Sequence, residues 1–201
     1  ILELTGNLHF EALMIFFLLL GILYLGSGKW IRGGIALGGA VLSKLIPLAF
    51  LVLVWRKYEF RQGLVVMLVT GLMVLLAFLP FINREMISGF FNSLGLYFQK
   101  FEFNASVYYL VREAGYLITG YNIIGMAGPL LALLAATLIL WYSLRKKTRY
   151  VPLAEGMMWI LLIYLALTTT LHPWYVTTLL VLSVFTKYRF PVVWSLMIFL
   201  S

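Results

Sequence analysis

The sequence contains no cysteine and no aspartate, and only 11% of its 201 residues are charged. Without cysteine, disulfide bonds and thiolate metal sites are excluded. The chain has two histidines and seven acidic residues, all of them glutamate and none of them clustered, so we predict no metal site. A soluble domain carries about 25% charged residues. The low charge content therefore argues against an ordinary soluble domain.

Apolar residues make up 63% of the chain, and they form continuous runs rather than alternating with polar residues. Such runs are typical of transmembrane helices and not of a β-barrel. They cover residues 10–25, 34–55, 62–82, 128–144, 152–171 and 176–186, and a last run begins at Phe190. We predict an all-α, polytopic transmembrane helical bundle that forms one integral-membrane domain over residues 1–201. Because the chain begins at Ile1 rather than Met and ends within an apolar run, we expect it to be an internal piece of a longer protein.

The 15 basic residues give a net charge of +8, which could indicate a nucleic-acid partner. Their positions in short segments between apolar runs instead follow the positive-inside rule, and we predict no nucleic-acid partner. Eleven of them lie in four segments that we place in the cytoplasm: Lys29, Arg32, Arg56, Lys57, Arg61, Arg145, Lys146, Lys147, Arg149, Lys187 and Arg189. We expect a multi-pass protein of a bacterial or archaeal plasma membrane or of the endoplasmic reticulum.

The run over residues 34–55 lies between two of these basic segments, so it has to leave and re-enter on the same side. We predict a hairpin of two short helices that turns at residues 44–47, with Pro47 suited to the break. The alternative is one straight helix, which would place Lys44 near the membrane centre at a cost of roughly 2.5–3.5 kcal/mol.

This topology gathers polar groups on the non-cytoplasmic side. Residues 83–127 form a long loop there, in which we predict interfacial helices; Arg112 lies on one that looks amphipathic and is either a phosphate contact or part of its solvated face. Near the start of the chain, Glu3, Asn7, His9 and Glu11 form a second polar group. Helix capping is the simpler explanation for Glu11, whereas Glu3 and His9 are candidates for a site.

The stretch HPWY at residues 172–175 lies between two apolar runs on this same side. His172 could donate hydrogen bonds or act as a general acid or base, or it could simply be satisfied by interfacial water. Trp174 and Tyr175 could stack against a sugar, or they could belong to the aromatic belt of the membrane interface. Lys44 could bind a phosphate or could snorkel to the interface.

Taken in order along the chain, these motifs resemble the GT-C superfamily of membrane glycosyltransferases, in its mannosyltransferase-like branch. The resemblance rests on Gly6, Asn7 and His9 before one helix, on Lys44 and Pro47 at the turn of a short-helix pair, and on HPWY at the outer face of a later helix. It covers most of the 201 residues, although each motif is short.

The resemblance implies transfer of a hexose, expected to be mannose, from a polyprenyl- or dolichyl-phosphate donor to a lipid or glycan acceptor at the non-cytoplasmic face. Lys44 and Arg112 would then bind the donor phosphate. The residues that would line the cavity are Glu3, Asn7, His9, Glu11, His172, Trp174 and Tyr175. The catalytic base of the family lies in an outer loop that would precede Ile1, so no catalytic base is assigned, and no cofactor is expected besides the lipid-linked donor.

Two other classes of protein remain open. Broken helices with a polar site are also found in transporters and lipid flippases, but the sequence has no internal repeat and its polar residues gather at one face. A non-catalytic membrane scaffold subunit is the second alternative. It predicts that both Lys44 and His172 can be replaced by alanine without consequence.

Overall fold

The computed structural model describes residues 10–198 of the chain, and no strand is present in that range. Ten α-helices follow one another: α1 Glu11–Gly26, α2 Trp30–Ser43, α3 Leu51–Lys57, α4 Phe60–Phe78, α5 Arg84–Gln99, α6 Val107–Thr119, α7 Ile124–Leu144, α8 Leu153–Leu167, α9 Tyr175–Ser183 and α10 Phe190–Met197. Short 3-10 turns cover Ile46–Phe50, Leu79–Phe81 and Lys146–Tyr150. The all-α class predicted from the sequence is confirmed.

Glycines bring α2 against its two neighbours, α1 and α4. A Cβ atom on Gly39 would lie 2.8 Å from the Phe17 ring in α1, and one on Gly34 would lie 2.8 Å from Val69 in α4. Small residues allow helix backbones to approach this closely, as in membrane helix pairs. The buried Thr70 hydroxyl adds a hydrogen bond of 3.0 Å to the Gly34 carbonyl. The contacts run antiparallel between α1 and α2 and parallel between α2 and α4.

The chain reverses direction between α2 and α3, at the place where the sequence predicts a hairpin. Helix α2 ends at Ser43, and Lys44 is extended, with φ −163° and ψ 142°. Pro47 lies in the first turn of the 3-10 segment, where its missing N–H is not needed. Helix α3 packs antiparallel against α4, to which a two-residue connection joins it. Because α4 runs parallel to α2, α3 runs antiparallel to α2. The first arm starts earlier than predicted, at Trp30, and the second is a 3-10 turn followed by seven helical residues.

The four basic segments meet at one end of the bundle, which we call the basic end. Trp30 and Tyr58 pack with ring centroids 4.9 Å apart, joining the first two segments. The Lys57 ammonium donates hydrogen bonds to the carbonyls of Arg149 and Val151, joining the third. The Thr186 hydroxyl lies 3.8 Å from the Met158 sulfur in α8, which begins just after the third segment. The four basic segments are therefore close together in the fold.

Two helical segments are long and apolar enough to cross a membrane, Phe60–Phe81 and Ile124–Leu144. Only 11% of the apolar window of the first is buried within the protein, and its exposed leucines include Leu64, Leu68 and Leu72. The other predicted spans form shorter helices. In particular, the run at 152–171 is helical only to Leu167, after which Thr168 is extended and Thr170 forms an isolated bridge with Phe103.

Helix α8 is the most buried element, and Met157, Ile160 and Leu165 on it have no exposed surface. The extended residues after it pair with the loop between α5 and α6. The Phe103 N–H donates to the Thr169 carbonyl at 3.0 Å, and the Leu171 N–H donates to the Phe103 carbonyl at 2.7 Å. This pairing ties the 83–127 segment, in which the structure has the two helices α5 and α6, to the HPWY stretch.

Candidate functional site

An apolar cavity of about 420 Å³ lies at the end of the bundle opposite the basic end. The turn of the hairpin, α5, α8 and the start of α9 enclose it, and Lys44 contributes the charged group of its lining. A second cavity of about 410 Å³ lies beside it, between α3, α7 and α8. The two share Ala49, Phe98 and Tyr164 as lining residues, so they are adjacent along α8, and Lys44 is the cationic residue of the lining. We call the pair the paired cavity.

Lys44 is held at the cavity by an ion pair and an aromatic ring. Its ammonium donates to the carboxylate of Glu11, in the first turn of α1, and it lies 3.8 Å from the centroid of the Tyr175 ring. The Glu11 side chain is 4% exposed and that of Lys44 is 24% exposed. A buried carboxylate requires such a partner. An ammonium has three donors, so Lys44 can bind a further anion while it remains paired with Glu11.

Three tyrosines surround the polar end of the cavity. Tyr97 from α5, Tyr164 from α8 and Tyr175 from α9 all line it. The Tyr97 hydroxyl donates to the Thr170 carbonyl at 3.4 Å and lies next to the phenol groups of the other two tyrosines. Hydroxyl groups next to an ammonium give this end of the cavity several donors for a phosphate or a sugar.

His172 lies in a stack of aromatic rings next to the cavity. Its ring is nearly parallel to that of Trp174, with centroids 4.4 Å apart and an interplanar angle of 7°. The Phe103 ring stacks on it as well, at 5.1 Å. Tyr175 meets the His172 ring edge-on at 5.4 Å and thereby connects the stack to Lys44. The aromatic residues of HPWY, Lys44 and Glu11 thus form one connected group, of which Lys44 and Tyr175 line the cavity, whereas Glu11, His172 and Trp174 do not.

Arg112 belongs to a different group and lines neither part of the paired cavity. Its guanidinium pairs with Glu102 and with Glu113, each at 3.0 Å, and it covers the Tyr109 ring at 4.5 Å. Those two carboxylates, with Glu113 the stronger, raise the pKa of Arg112. Because two carboxylates already neutralise Arg112, the geometry favours the solvated-face interpretation over the phosphate contact.

Glu102 is the centre of this second group. Partial burial disfavours its ionised form, but hydrogen bonds from Tyr108, Asn122 and Arg112 outweigh that effect and lower the pKa of Glu102. The Asn122 amide donates at 3.1 Å. The burial of Tyr108, together with the adjacent carboxylate, raises the pKa of its phenol. The group fastens the start of α7 and the helix α6 to the loop that carries Phe103.

Several outcomes for the predicted site residues follow from this geometry. Glu3, Asn7 and His9 lie outside the described residues. Glu11 is the partner of Lys44, so capping is not its main role. Sequence reasoning missed Tyr97, Tyr164 and Phe103, whose positions depend on contacts between distant helices. Thr169, which lines the second cavity, was also missed; its hydroxyl has no hydrogen-bond partner within the described part of the chain and is fully buried.

No family model matches the sequence, and neither a curated protein nor a solved structure is significantly similar to it. Within residues 10–198 no group of three or more histidine, aspartate, glutamate or cysteine side chains could hold a metal ion.

Proposed function

We propose that this chain is part of a membrane glycosyltransferase that takes a hexose, expected to be mannose, from a polyprenyl- or dolichyl-phosphate donor. The observation that carries the proposal is the position of Lys44 at one end of the paired apolar cavity. The two parts of such a donor match the two parts of the cavity. Its long apolar chain suits the apolar lining, and its anionic phosphate suits the ammonium of Lys44. The order of motifs that resembles the GT-C superfamily supports the transfer reaction.

Three features support placement in a membrane. The two longest apolar helices reach the length of the hydrocarbon core. Helix α4 exposes several leucines on its surface, as lipid contact would require. The basic residues meet at one end, which the positive-inside rule places in the cytoplasm. The cavity end that contains Lys44 then opens near the non-cytoplasmic face.

In the proposed reaction, an acceptor hydroxyl attacks the anomeric carbon of the donor sugar. The new C–O bond forms as the bond between the anomeric carbon and the phosphate oxygen breaks, and the phosphate leaves with that electron pair. The hydroxyl proton passes to a carboxylate base, to which no residue of this chain is assigned. Lys44 stabilises the charge that grows on the phosphate. Trp174, whose ring stacks on that of His172, is the residue that contacts the sugar.

Binding of the donor can be tested separately from transfer. A photoactivatable polyprenyl phosphate is crosslinked to the protein in phosphatidylcholine nanodiscs, and the labelled peptides are mapped. We expect labelling of α5 and α8 around Phe98 and Tyr164. The variant Glu11→Gln with Lys44→Met removes both charges together and should reduce labelling at least about tenfold, since about 1.4 kcal/mol of lost binding is a factor of ten. Lys100→Gln, which neutralises an exposed lysine outside the cavity, is the control.

If the parent and the doubly neutral variant were labelled equally, Lys44 would not contribute to the phosphate site.

Transfer is measured in a separate experiment on the full-length protein, with a mannosyl polyprenyl phosphate labelled in the sugar. Release of label to an acceptor distinguishes a transferase from a lipid flippase, which would move the labelled donor across a vesicle membrane without cleaving it. A scaffold subunit would not be labelled in the cavity, either as the parent or as the doubly neutral variant.

A further inference from the structure

A separate cavity of about 380 Å³ lies at the basic end, on the far side of the bundle from Lys44. The end of α3, the start of α4, the end of α7 and the turn that follows α7 enclose it. Its lining residues are Trp55, Arg56, Tyr58, Glu59, Phe60, Leu144 and Arg149. The proposed glycosyl transfer does not use any of them.

The lining of this cavity has a net positive charge, with two arginines and one glutamate. Within residues 10–198, neither Arg56 nor Arg149 forms an ion pair with a carboxylate. The Lys57 ammonium lies beside them, because it donates to the main-chain carbonyls of Arg149 and Val151. Glu59 is the one carboxylate in the lining; it directly precedes α4, where the helix dipole favours a negative charge. Two guanidinium groups with unused donors are suited to bind a phosphate, which accepts hydrogen bonds in pairs.

The depth of the cavity matches that of lipid head groups. Both helices that are long enough to cross a membrane end here, since one begins at Phe60 and the other ends at Leu144. These two residues also form the outer rim, and they are 65% and 47% exposed. Trp55 and Tyr58 are aromatic residues of the type found at membrane interfaces. A phospholipid whose phosphate binds the two arginines would therefore have its acyl chains along the exposed leucines of α4.

We propose that this cavity binds the phosphodiester head group of an anionic phospholipid from the leaflet at the basic end. Basic cavities between transmembrane helices on the cytoplasmic side suit such head groups. The shape of the cavity also supports a lipid ligand. An apolar rim that faces lipid favours a ligand with acyl chains over a free phosphate ion. The inference depends on membrane placement but not on the glycosyl transfer proposed above.

Lipid retention in nanodiscs of mixed phosphatidylcholine and phosphatidylglycerol tests the proposal. The lipids that stay bound are measured by native mass spectrometry for the parent and for two double variants. Arg56→Gln with Arg149→Gln changes the cavity. Lys146→Gln with Lys147→Gln removes the same charge from the same basic segment but not from the cavity lining. We expect the first variant to retain about thirty-fold less phosphatidylglycerol, given the typical contribution of a basic residue next to an anionic head group. The second should change retention less than threefold, because its exposed lysines do not line the cavity and are screened by salt.

Equal losses in the two variants would overturn the proposal, because only the general surface charge would then matter. Unchanged retention in the arginine variant would also overturn it. A second arm titrates inorganic phosphate onto the parent in pure phosphatidylcholine nanodiscs while the fluorescence of Trp55 is followed against that of Trp55→Phe. Saturation at low phosphate concentration would assign the cavity to a free ion and not to a lipid.

Two controls keep the outcomes separate. The chain has no cysteine, so Lys187→Cys introduced into each variant reports by thiol labelling whether the basic end still faces the same side. Crosslinking of polyprenyl phosphate in the paired cavity reports the opposite end. A variant that retains less phosphatidylglycerol but is still crosslinked contradicts neither proposal. If the parent itself were not crosslinked in the paired cavity, only the proposed function would be contradicted.

Discussion

Lys44 and Glu11 are 33 residues apart in the sequence and form an ion pair that joins the turn of the hairpin to the first turn of α1. The carboxylate is almost completely buried, whereas about a quarter of the lysine side chain is exposed. Tyr175 covers the ammonium from a third element, α9. The pair therefore fixes the polar end of the paired cavity and leaves the lysine as the member that a ligand can reach.

This pairing predicts that removing one charge is worse than removing both. Lys44→Ala leaves a buried carboxylate without a partner and should destabilise the protein by about 3–5 kcal/mol, whereas Glu11→Gln with Lys44→Met should cost much less. Unfolding in mixed detergent micelles, followed by tryptophan fluorescence, measures the difference. If Lys44→Ala proved as stable as the double variant, the ion pair would be unimportant for the fold. The same comparison is needed before any loss of activity in Lys44→Ala is attributed to the missing phosphate contact.

A close contact between α5 and α7 predicts a second effect. A Cβ atom on Gly128 would lie 1.8 Å from the Phe98 carbonyl oxygen, whereas one on Gly125 in the same helix would meet nothing within 4 Å. Gly128→Ala should therefore push α5 away from the paired cavity at a cost of about 1–3 kcal/mol. Gly125→Ala is the matched control and should leave stability within about 1 kcal/mol of the parent. Hydrogen exchange across α5 distinguishes them, and equal protection in both variants would mean that α5 adjusts without cost.

The place of the hairpin could be predicted because it depends on local signals. Lys44 and Pro47 within an apolar run, with basic segments on both sides, determine where the chain has to turn. The partner of Lys44 could not be predicted in the same way. Its pairing with Glu11 depends on the register of α1 against α2, and that register is set by the contacts of Gly33 and Gly39 with side chains on α1.

Helix ends and the walls of the cavity were harder to predict for a related reason. Thr168, Thr169 and Thr170 continue an apolar run, but as β-branched residues they favour extended backbone, and pairing with Phe103 stabilises that conformation. Tyr97 comes from a segment with no motif of its own. It lines the cavity because α5 folds over α7 and α8, an arrangement that no short sequence pattern specifies.

The stack of rings around His172 predicts different effects for two substitutions. His172→Phe keeps a ring between Trp174 and Phe103, so stability should stay near that of the parent. His172→Ala loses three aromatic contacts, each worth about 0.5–1.5 kcal/mol, and should lower stability accordingly. If the imidazole also contacts the sugar, His172→Phe should reduce transfer by the full-length protein about tenfold or more. Transfer at the parent rate in His172→Phe would limit His172 to a role in packing.

The group around Glu102 predicts a loss of local order in acid. Because the folded protein holds the pKa of Glu102 below its usual value of 4.5, its contribution to stability is present in full above that pH. The contribution is lost as the pH falls through the lower value in the folded state, since a protonated carboxyl no longer attracts Arg112. Hydrogen exchange of α6, corrected for the intrinsic effect of pH, should show constant protection above pH 4.5 and declining protection below it. Glu102→Gln should give lower protection without this decline. A decline of the same size in Glu102→Gln would assign the acid sensitivity to another carboxylate. Glu113, the second partner of Arg112, would then be substituted first.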